Sequence, residues 1–559
     1  MIKLRFRSAM LFSVLVVLGT VSFSSAMTAA DKAQKSAQID ALRKGDFSFT
    51  ILDGTAPVSG ANVTVEQVRH HFGFGAAMAY WPFDSSEVAR KWKREIPATE
   101  HKELIKKYSD AFEKYFEWIT PENCMKWPDD QYKEGANNYY NGDLLIKWAL
   151  DRDIKVRGHN LFWNQSLQWV PAWMDSIAQT RDYTKGQEVV DYRIDSAMTH
   201  YKGSVEHWDI INEIIHGQVD LDTNDANNPT IGTLKALTGR EDNDIFKYVL
   251  DKAAAIDPDA KFCINDYNLL TQWSDKAQFI PMVKGLVNQG CKVDIIGCEG
   301  HFGETVDIGD FTTKLNDMAS NFPNQEIWMT EVDFKLDMAQ VPMKLADLLT
   351  TCFANENVHG FLIWTPWQGN LWRSDYTSYL FDSSFVETPM ALKWLELIDG
   401  WTTPVQQATT DAEGKHSFNG FYGKYKVTFE EGTAKYEGFV NFKPGNDNTV
   451  TLQKSEMIPD TVKPDYPVEV RSFNSGNDNG TRKRTIVVNS GALSFSIPAY
   501  EDGQLYLSAY SLSGRLLARV PLSFSNGVSA VHNLPAGCHV YRIGTDHTNY
   551  KSSMGLNLR

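Results

Sequence analysis

Six cysteines in 559 residues is very few, and Cys124, Cys263, Cys291, Cys298, Cys352 and Cys538 are scattered without a CxxC pair. That excludes a disulfide scaffold and points to buried thiols, with a single bridge left open. Beyond the amino terminus no apolar run is long enough to span a bilayer. Positive charge is in deficit: 55 Lys and Arg against 70 Asp and Glu leave a net charge of −15, a poor match for nucleic acid or an anionic membrane. No GxGxxG turn follows any strand-like segment, and HExxH, GxSxG and the P-loop are missing. No cofactor and no metal are therefore expected, and the His70-His71 pair reads as structural rather than ligating.

What is present describes a folded protein. Hydrophobic residues make up 42% and charged residues 22%, ordinary globular values. The length suits one large domain with one or two smaller ones. Sixteen Trp and 22 Tyr offer faces for sugars or bases, although core packing claims most such rings. At the amino terminus Lys3, Arg5 and Arg7 precede an apolar run from Ala9 to Phe23, interrupted by Ser13, Gly19 and Thr20 and followed by Ser24-Ser25-Ala26. This reads as a secretory signal over residues 1–26, so an exported, extracellular or cell-surface monomer without membrane insertion is expected.

Between His70 and Trp367, short apolar segments alternate with longer amphipathic ones. Eight are strand-like: 71–75, 116–119, 155–159, 207–211, 261–264, 294–297, 326–329 and 360–364. Helical patterns lie between them, such as Gly142 to Asp151 and Ile245 to Ala255. This alternation predicts an α/β fold, a (β/α)8 barrel spanning about residues 69–403, in preference to a doubly wound open sheet. In a barrel the chemistry sits at the carboxyl ends of the strands. The fourth segment runs into Asn212-Glu213 and the seventh into Thr330-Glu331-Val332-Asp333. One Glu at a strand end is ordinarily just solvated. Two at one barrel mouth can flank a scissile glycosidic bond, one protonating the leaving oxygen and one attacking the anomeric carbon.

Further motifs fall at the remaining strand ends. They are Thr120-Pro121-Glu122-Asn123-Cys124-Met125-Lys126-Trp127, Gly158-His159-Asn160-Leu161-Phe162-Trp163, Asn265-Asp266-Tyr267-Asn268, Gly297-Cys298-Glu299-Gly300-His301-Phe302 and Trp364-Thr365-Pro366-Trp367. Together and in this order they resemble glycoside hydrolase family 10, the endo-β-1,4-xylanases, over about residues 68–400. The resemblance implies that Glu331 is the nucleophile and Glu213 the acid/base of a retaining double displacement on xylan and xylo-oligosaccharides. It implies that His301 hydrogen-bonds the nucleophile, and that Asn123, Lys126, His159 and Asn212 hold sugar hydroxyls, with Glu122 nearby. Trp163, Trp364 and Trp372 are then expected to wall the cleft, with Tyr267 stacking on a sugar. Departures are Asn164-Gln165-Ser166 where the family often has His and Ser-Gln, Glu299 where Gln is common, and Gln368 where Asp is common, as in the branch that includes plant enzymes. Glu299 is expected to add negative charge beside His301. A β-1,4-glucanase and a non-catalytic polysaccharide-binding protein are the competing readings.

The flanks read as β-structure. Residues 47–68 look like the opening strands of a transthyretin-like sandwich whose continuation, Thr410-Asp411-Ala412-Glu413-Gly414 and Gly423-Lys424-Tyr425-Lys426-Val427, appears only after the barrel. One sandwich split into 47–68 and 408–453 is expected. Residues 456–485 read as a linker and 486–545 as a carboxyl-terminal β-domain. The latter contains Leu534-Pro535-Ala536-Gly537-Cys538 and resembles domains that address proteins to type IX secretion. Its partner would be outer-membrane secretion machinery, with a carbohydrate-binding module as the alternative.

Overall fold

The structure is a computed structural model. It describes residues 27–459 except 166–168, 217–231, 304–305, 377 and 433, and beyond them only the backbone strands within 483–556. The chain divides into two compact units. The first holds residues 1–45, 70–80 and 106–402, and the second holds 46–69, 81–105 and 403–559.

In the first unit eight parallel strands close on themselves: β1 (Gly73–Met78), β2 (Trp118–Pro121), β3 (Lys155–Gly158), β4 (His207–Asn212), β5 (Lys261–Asp266), β6 (Ile295–Phe302), β7 (Glu326–Phe334) and β8 (Val358–Ile363), with β8 pairing back onto β1. Closure rules out the open doubly wound sheet. After the strands come the helices Ala98–Tyr115, Tyr140–Leu150, Tyr183–Tyr201, Asp242–Ile256, Trp273–Asn288, Ile308–Asn321, Val341–Phe353 and Pro389–Gly400. Helix Asp242–Ile256 shows why they form: Ile245, Phe246, Val249, Leu250 and Ala253 recur at helical spacing and are buried. Trp118, Cys263, Ile295, Trp328 and Leu362, from five different strands, make one apolar cluster, and the His207 ring sits 4.5 Å and 4.6 Å from the Trp118 and Trp328 rings. Gly73 and Gly360 make this packing sterically feasible, because a Cβ there would lie 2.4 Å and 2.1 Å from Trp328 ring atoms. Several of these residues begin their strands, so this end of the barrel is filled and polar chemistry is left to the other.

A helix that the sequence analysis did not anticipate, Ala29–Arg43, precedes the barrel in the same unit. Thr28 and Asp31 form a reciprocal capping box at its start. At its end the buried Arg43 guanidinium donates to the carbonyls of Phe353, Asn355 and Val358 at 2.9, 2.6 and 2.8 Å.

In the second unit, strand Lys44–Asp53 lies between Lys415–Phe421 and Thr449–Gln453, with Ala56–Pro57 also pairing on it. Strand Asn62–His70 lies between Gln406–Thr409 and Gly423–Glu431 in a second sheet, which continues through Ala434–Phe442 to Ile458–Pro459. Residues from before and after the barrel thus alternate within both sheets. They also share one core, in which Phe47, Phe49, Ile51, Val63 and Val65 pack with Tyr425, Val427, Phe429, Val440 and Phe442. The Phe47 and Phe442 rings stack at 4.3 Å. The expected linker opens inside this unit, since Ile458 and Pro459 still pair with Glu437 and Tyr436; residues 460–482 lie outside the described residues. Further on, strands Lys483–Val488, Leu493–Pro498 and Val528–Val531 form one sheet, and Tyr506–Ser511, Leu516–Pro521, His539–Gly544 and Lys551–Leu556 another. The proposed leader 1–26, the loop 534–538 and Cys538 lie outside the described residues; Cys124, Cys263, Cys291, Cys298 and Cys352 are buried and free. Among the described residues no helix is long and apolar enough to cross a membrane.

Candidate active site

The polar motifs of strands six and seven do not follow the strands, as the sequence suggested, but lie within them. β6 and β7 run on to Phe302 and Phe334, in a register that sets Glu299 beside Glu331 and His301 beside Asp333. Residues two apart on a strand share a face, so each strand presents two ionisable groups side by side. His301 links them. Its Nδ1 is 2.8 Å from Asp333 Oδ1, while its Nε2 is 3.3 Å from Glu331 Oε2 and 3.7 Å from Glu299 Oε2. The Trp372 indole donates to the other Asp333 oxygen at 2.6 Å. Burial opposes a charge on His301, but Asp333 and Glu331 outweigh it and hold its pKa well above the usual histidine range. The three groups Glu299, His301 and Glu331 place ligand atoms within 4.8 Å of one another, and the positive charge among them is the imidazolium.

Asn265 on β5 organises the centre. Its Nδ2 reaches Asn212 Oδ1 at 2.8 Å, Glu299 Oε1 at 2.7 Å and Glu331 Oε1 at 3.2 Å, while Thr330 Oγ1 donates to its Oδ1 at 2.6 Å. Gly297 makes room for it, because a Cβ there would stand 2.2 Å from Asn265 Oδ1. The network leaves Glu331 ionised: burial pushes its pKa up, but the His301 hydrogen bond and the positive charges of His301 and Arg157 bring it below the ordinary value.

Glu213 is the opposite case. It follows β4 with φ at +53°, a left-handed conformation that strains a residue bearing a Cβ, and its amide donates to Asn265 O at 2.7 Å. Its Oε2 is buried without a hydrogen-bond partner among the described residues. Burial is the main reason its pKa is raised to about 8; the Trp163 indole pulls it down, and the charges of Asp266 and Glu331 add to the rise. Glu299 is likewise raised well above the ordinary carboxylate value, by burial first and then by the charges of Glu331 and Glu213. The negative charge expected at position 299 is therefore suppressed, and a neutral acid stands where the family commonly has a neutral amide.

His159 Nδ1 donates to Asp209 Oδ2, 2.8 Å away, and Arg157 pairs with the other Asp209 oxygen. Burial lowers the His159 pKa, so the neutral ring uses Nδ1–H on Asp209 and keeps Nε2 as an acceptor. Lys126 donates to Asn123 Oδ1 at 3.0 Å and lies 4.4 Å from the Trp163 ring centroid. Glu122 accepts from Asn370 Nδ2. The aromatic rings are partly committed to one another. Trp163 stacks on Trp169 at 3.9 Å, and Tyr267 stacks on His216 at 3.6 Å. Trp364 is buried, with its ring 5.4 Å from His159, and Trp372 is the exposed one at 42%. Asn164 and Gln165, which depart from the family pattern, hold the local loop by accepting from the Leu234 amide and the Trp169 indole at 3.2 Å and 3.0 Å. Gln368 donates to the Tyr379 hydroxyl at 3.0 Å, and His70 is held by Glu117 at 2.7 Å.

The site thus brings together Glu213, Glu331, Asn212, Glu299 and His301 through Asn265, and seats His159, Lys126 and Asn123 on the neighbouring strand ends. Asn265 and Asp333 belong to this network, Asp209 orients His159, and Asp266 acts on Glu213 through its charge; none of the four was given a role from the sequence. Asp333 was the most accessible of them, two residues beyond Glu331 and therefore on its face of the strand.

The description of glycosyl hydrolase family 10 matches residues 87–396. An anti-sigma-I factor of Acetivibrio thermocellus is 30% identical over 429 residues, covering 76% of this chain and 50% of that protein. Endo-1,4-beta-xylanase 2 of Arabidopsis thaliana is 25% identical over 405 residues, covering 71% of this chain and 34% of its own. The chain therefore spans half or less of the length of these relatives. Among solved structures, xylanase 10B of Thermotoga petrophila in complex with xylobiose is 20% identical with a TM-score of 0.48, covering 59% of this chain and 94% of that one.

Proposed function

The chain belongs to glycosyl hydrolase family 10, and from that premise we propose that it is an exported, retaining endo-β-1,4-xylanase. Glu213, protonated, donates its proton to the glycosidic oxygen while ionised Glu331 attacks the anomeric carbon. The leaving sugar departs with that proton, and the remaining sugar stays as an ester on Glu331. Glu213, now a carboxylate, takes a proton from water as that water attacks the same carbon. The Glu331–sugar bond breaks with net retention, and both carboxyls return to their starting states. His301 holds the attacking oxygen in place. Asn212, His159 and Lys126 are placed to hold hydroxyls of the reacting sugar, where contacts that tighten at the oxocarbenium-like transition state lower the barrier.

The observation that carries this reading is the split in protonation between two buried carboxyls at one barrel mouth, Glu213 raised to about 8 and Glu331 lowered. The expected test is azide rescue. With an aryl xylobioside bearing an activated leaving group, Glu213→Ala should cleave in the presence of azide and yield the β-glycosyl azide, whereas Glu331→Ala should not. Rescue to the β-product in the Glu331 variant instead would reverse the roles. A second reading is a protein that binds polysaccharide without cutting it; what favours it is the 30% identity to a protein named an anti-sigma-I factor rather than a hydrolase. Xylan binding with no turnover of the activated substrate would select it. Products from arabinoxylan, glucuronoxylan and carboxymethylcellulose separate a xylanase from a glucanase.

A further inference from the structure

Asp347 lies inside helix Val341–Phe353 with its side chain wholly buried. One oxygen, Oδ2, accepts from the Met27 backbone nitrogen at 3.2 Å, and the other, Oδ1, has no hydrogen-bond partner among the described residues. The side-chain cation beside it is Lys32, whose Nζ is 3.9 Å from Oδ1 on a side chain that is 55% exposed. A buried carboxylate held by one amide and a distant, solvated lysine is under-compensated. Nothing in the catalytic network uses it.

The atom that meets Asp347 is the first backbone nitrogen after Ser24-Ser25-Ala26, the small residues that close the leader-like segment. We propose that Met27 is the amino terminus of the mature chain and that its ammonium group is the buried partner of Asp347. Hydrolysis of the Ala26–Met27 bond by a signal peptidase adds one water: Ala26 keeps the new carboxylate, and the Met27 nitrogen leaves as an amine that takes up a proton. The single N–H of the uncleaved amide becomes three N–H donors with a full positive charge. That supplies the second hydrogen bond that Oδ1 lacks and the charge that the carboxylate lacks. The site is preformed around the terminus. Thr28 caps helix Ala29–Arg43, and Thr351, one turn beyond Asp347, has its hydroxyl 3.9 Å from the Met27 sulfur. At the far end of that helix Arg43 is tied to three carbonyls, so the helix fixes where Met27 can lie. Processing would thereby lock the first helix onto the barrel after export, and a chain with its leader attached would lack the lock.

Two full-length chains, one starting at Met27 with a free amine and one retaining Ser25-Ala26, are compared in thermal unfolding, each with and without Asp347→Asn. The free-amine chain should melt higher by about 3 °C or more. The difference should vanish in the Asp347→Asn background. Acylation of the Met27 α-amine, read by peptide mass, should be at least tenfold slower in the native chain than in the Asp347→Asn chain, as expected for an amine held protonated. Equal melting of the two chains, a difference that survives Asp347→Asn, or an α-amine that reacts equally fast in both would overturn the pairing. Independently, the amino-terminal peptide of the exported protein should begin at Met27, and a start elsewhere would overturn the processing step while the melting comparison still judges the pairing.

Discussion

Replacing Glu331 by glutamine removes one of the charges that hold the proton on Glu213 and leaves its burial untouched. The structure ranks these causes, with burial first, Asp266 ahead of Glu331, and the Trp163 indole opposing them. Glu213 should therefore fall from about 8 only part of the way, staying above the ordinary carboxylate value in the variant. The consequence for rate is large. An acid with a pKa of about 8 is about nine-tenths protonated at pH 7, whereas one at the ordinary 4.5 would be protonated in only ~0.3% of molecules, a ~300-fold difference in competent enzyme. Titration of ¹³C-carboxyl-labelled glutamates, with Glu213→Gln identifying the resonance, measures the shift directly. In the parent protein kcat/KM on xylo-oligosaccharides should fall above about pH 8 as Glu213 loses its proton, and in acid, below the ordinary carboxylate pKa, as Glu331 gains one. A Glu213 that titrates at an ordinary carboxylate value in Glu331→Gln would refute the reasoning, because repulsion rather than burial would then be the cause.

Glu299→Gln should change kcat/KM at pH 7 by less than about threefold, since a buried neutral carboxylic acid is replaced by a neutral amide, and it should keep the alkaline limb that Glu213 sets; a hundredfold loss at pH 7 would mean that Glu299 works as an anion. Asp333→Asn removes the main charge that keeps His301 protonated, so Glu331 should lose support and the acid limb of the pH profile should move upward; an unmoved acid limb would mean that Asp333 does not act through His301. Phe47→Ala and Phe442→Ala, from the two chain segments that flank the barrel, should each destabilise the β-unit by about 3–5 kcal/mol. The double variant should lose less than the sum by at least ~0.5 kcal/mol, and strict additivity in thermal denaturation would argue against one shared core.

The barrel was legible because its strands are buried on both faces and read as short apolar runs between amphipathic helices. Strand ends were less so. Gly297 to Phe302 and Thr330 to Asp333 look polar, yet they continue the ladder because polar side chains inside a barrel mouth satisfy one another, as Asn265 does with Asn212, Glu299 and Thr330. The identity of the paired carboxylates could be read from position. Their protonation could not, since it depends on burial, and the expected charge at Glu299 was wrong for that reason. Helix Ala29–Arg43 escaped because only Ile39 and Arg43 are buried along it, too few for an apolar stripe, although Thr28 and Asp31 carry a capping-box spacing. The pairing of 44–53 with 415–421 and 449–453 was hinted at by incomplete sandwich patterns on either side of the barrel, and its strands extend a few residues beyond the edges that composition suggested.

The central claim is that Glu331 becomes covalently bound to the sugar. Incubation with an aryl 2-deoxy-2-fluoro-xylobioside slows both steps, and a good leaving group restores the first, so the ester accumulates. Peptide mapping by mass spectrometry should find one fluoroxylobiosyl group, on the peptide carrying Glu331, and release of β-configured product should follow reactivation. A label on Glu213, or turnover to the α-anomer without any adduct, would contradict the account.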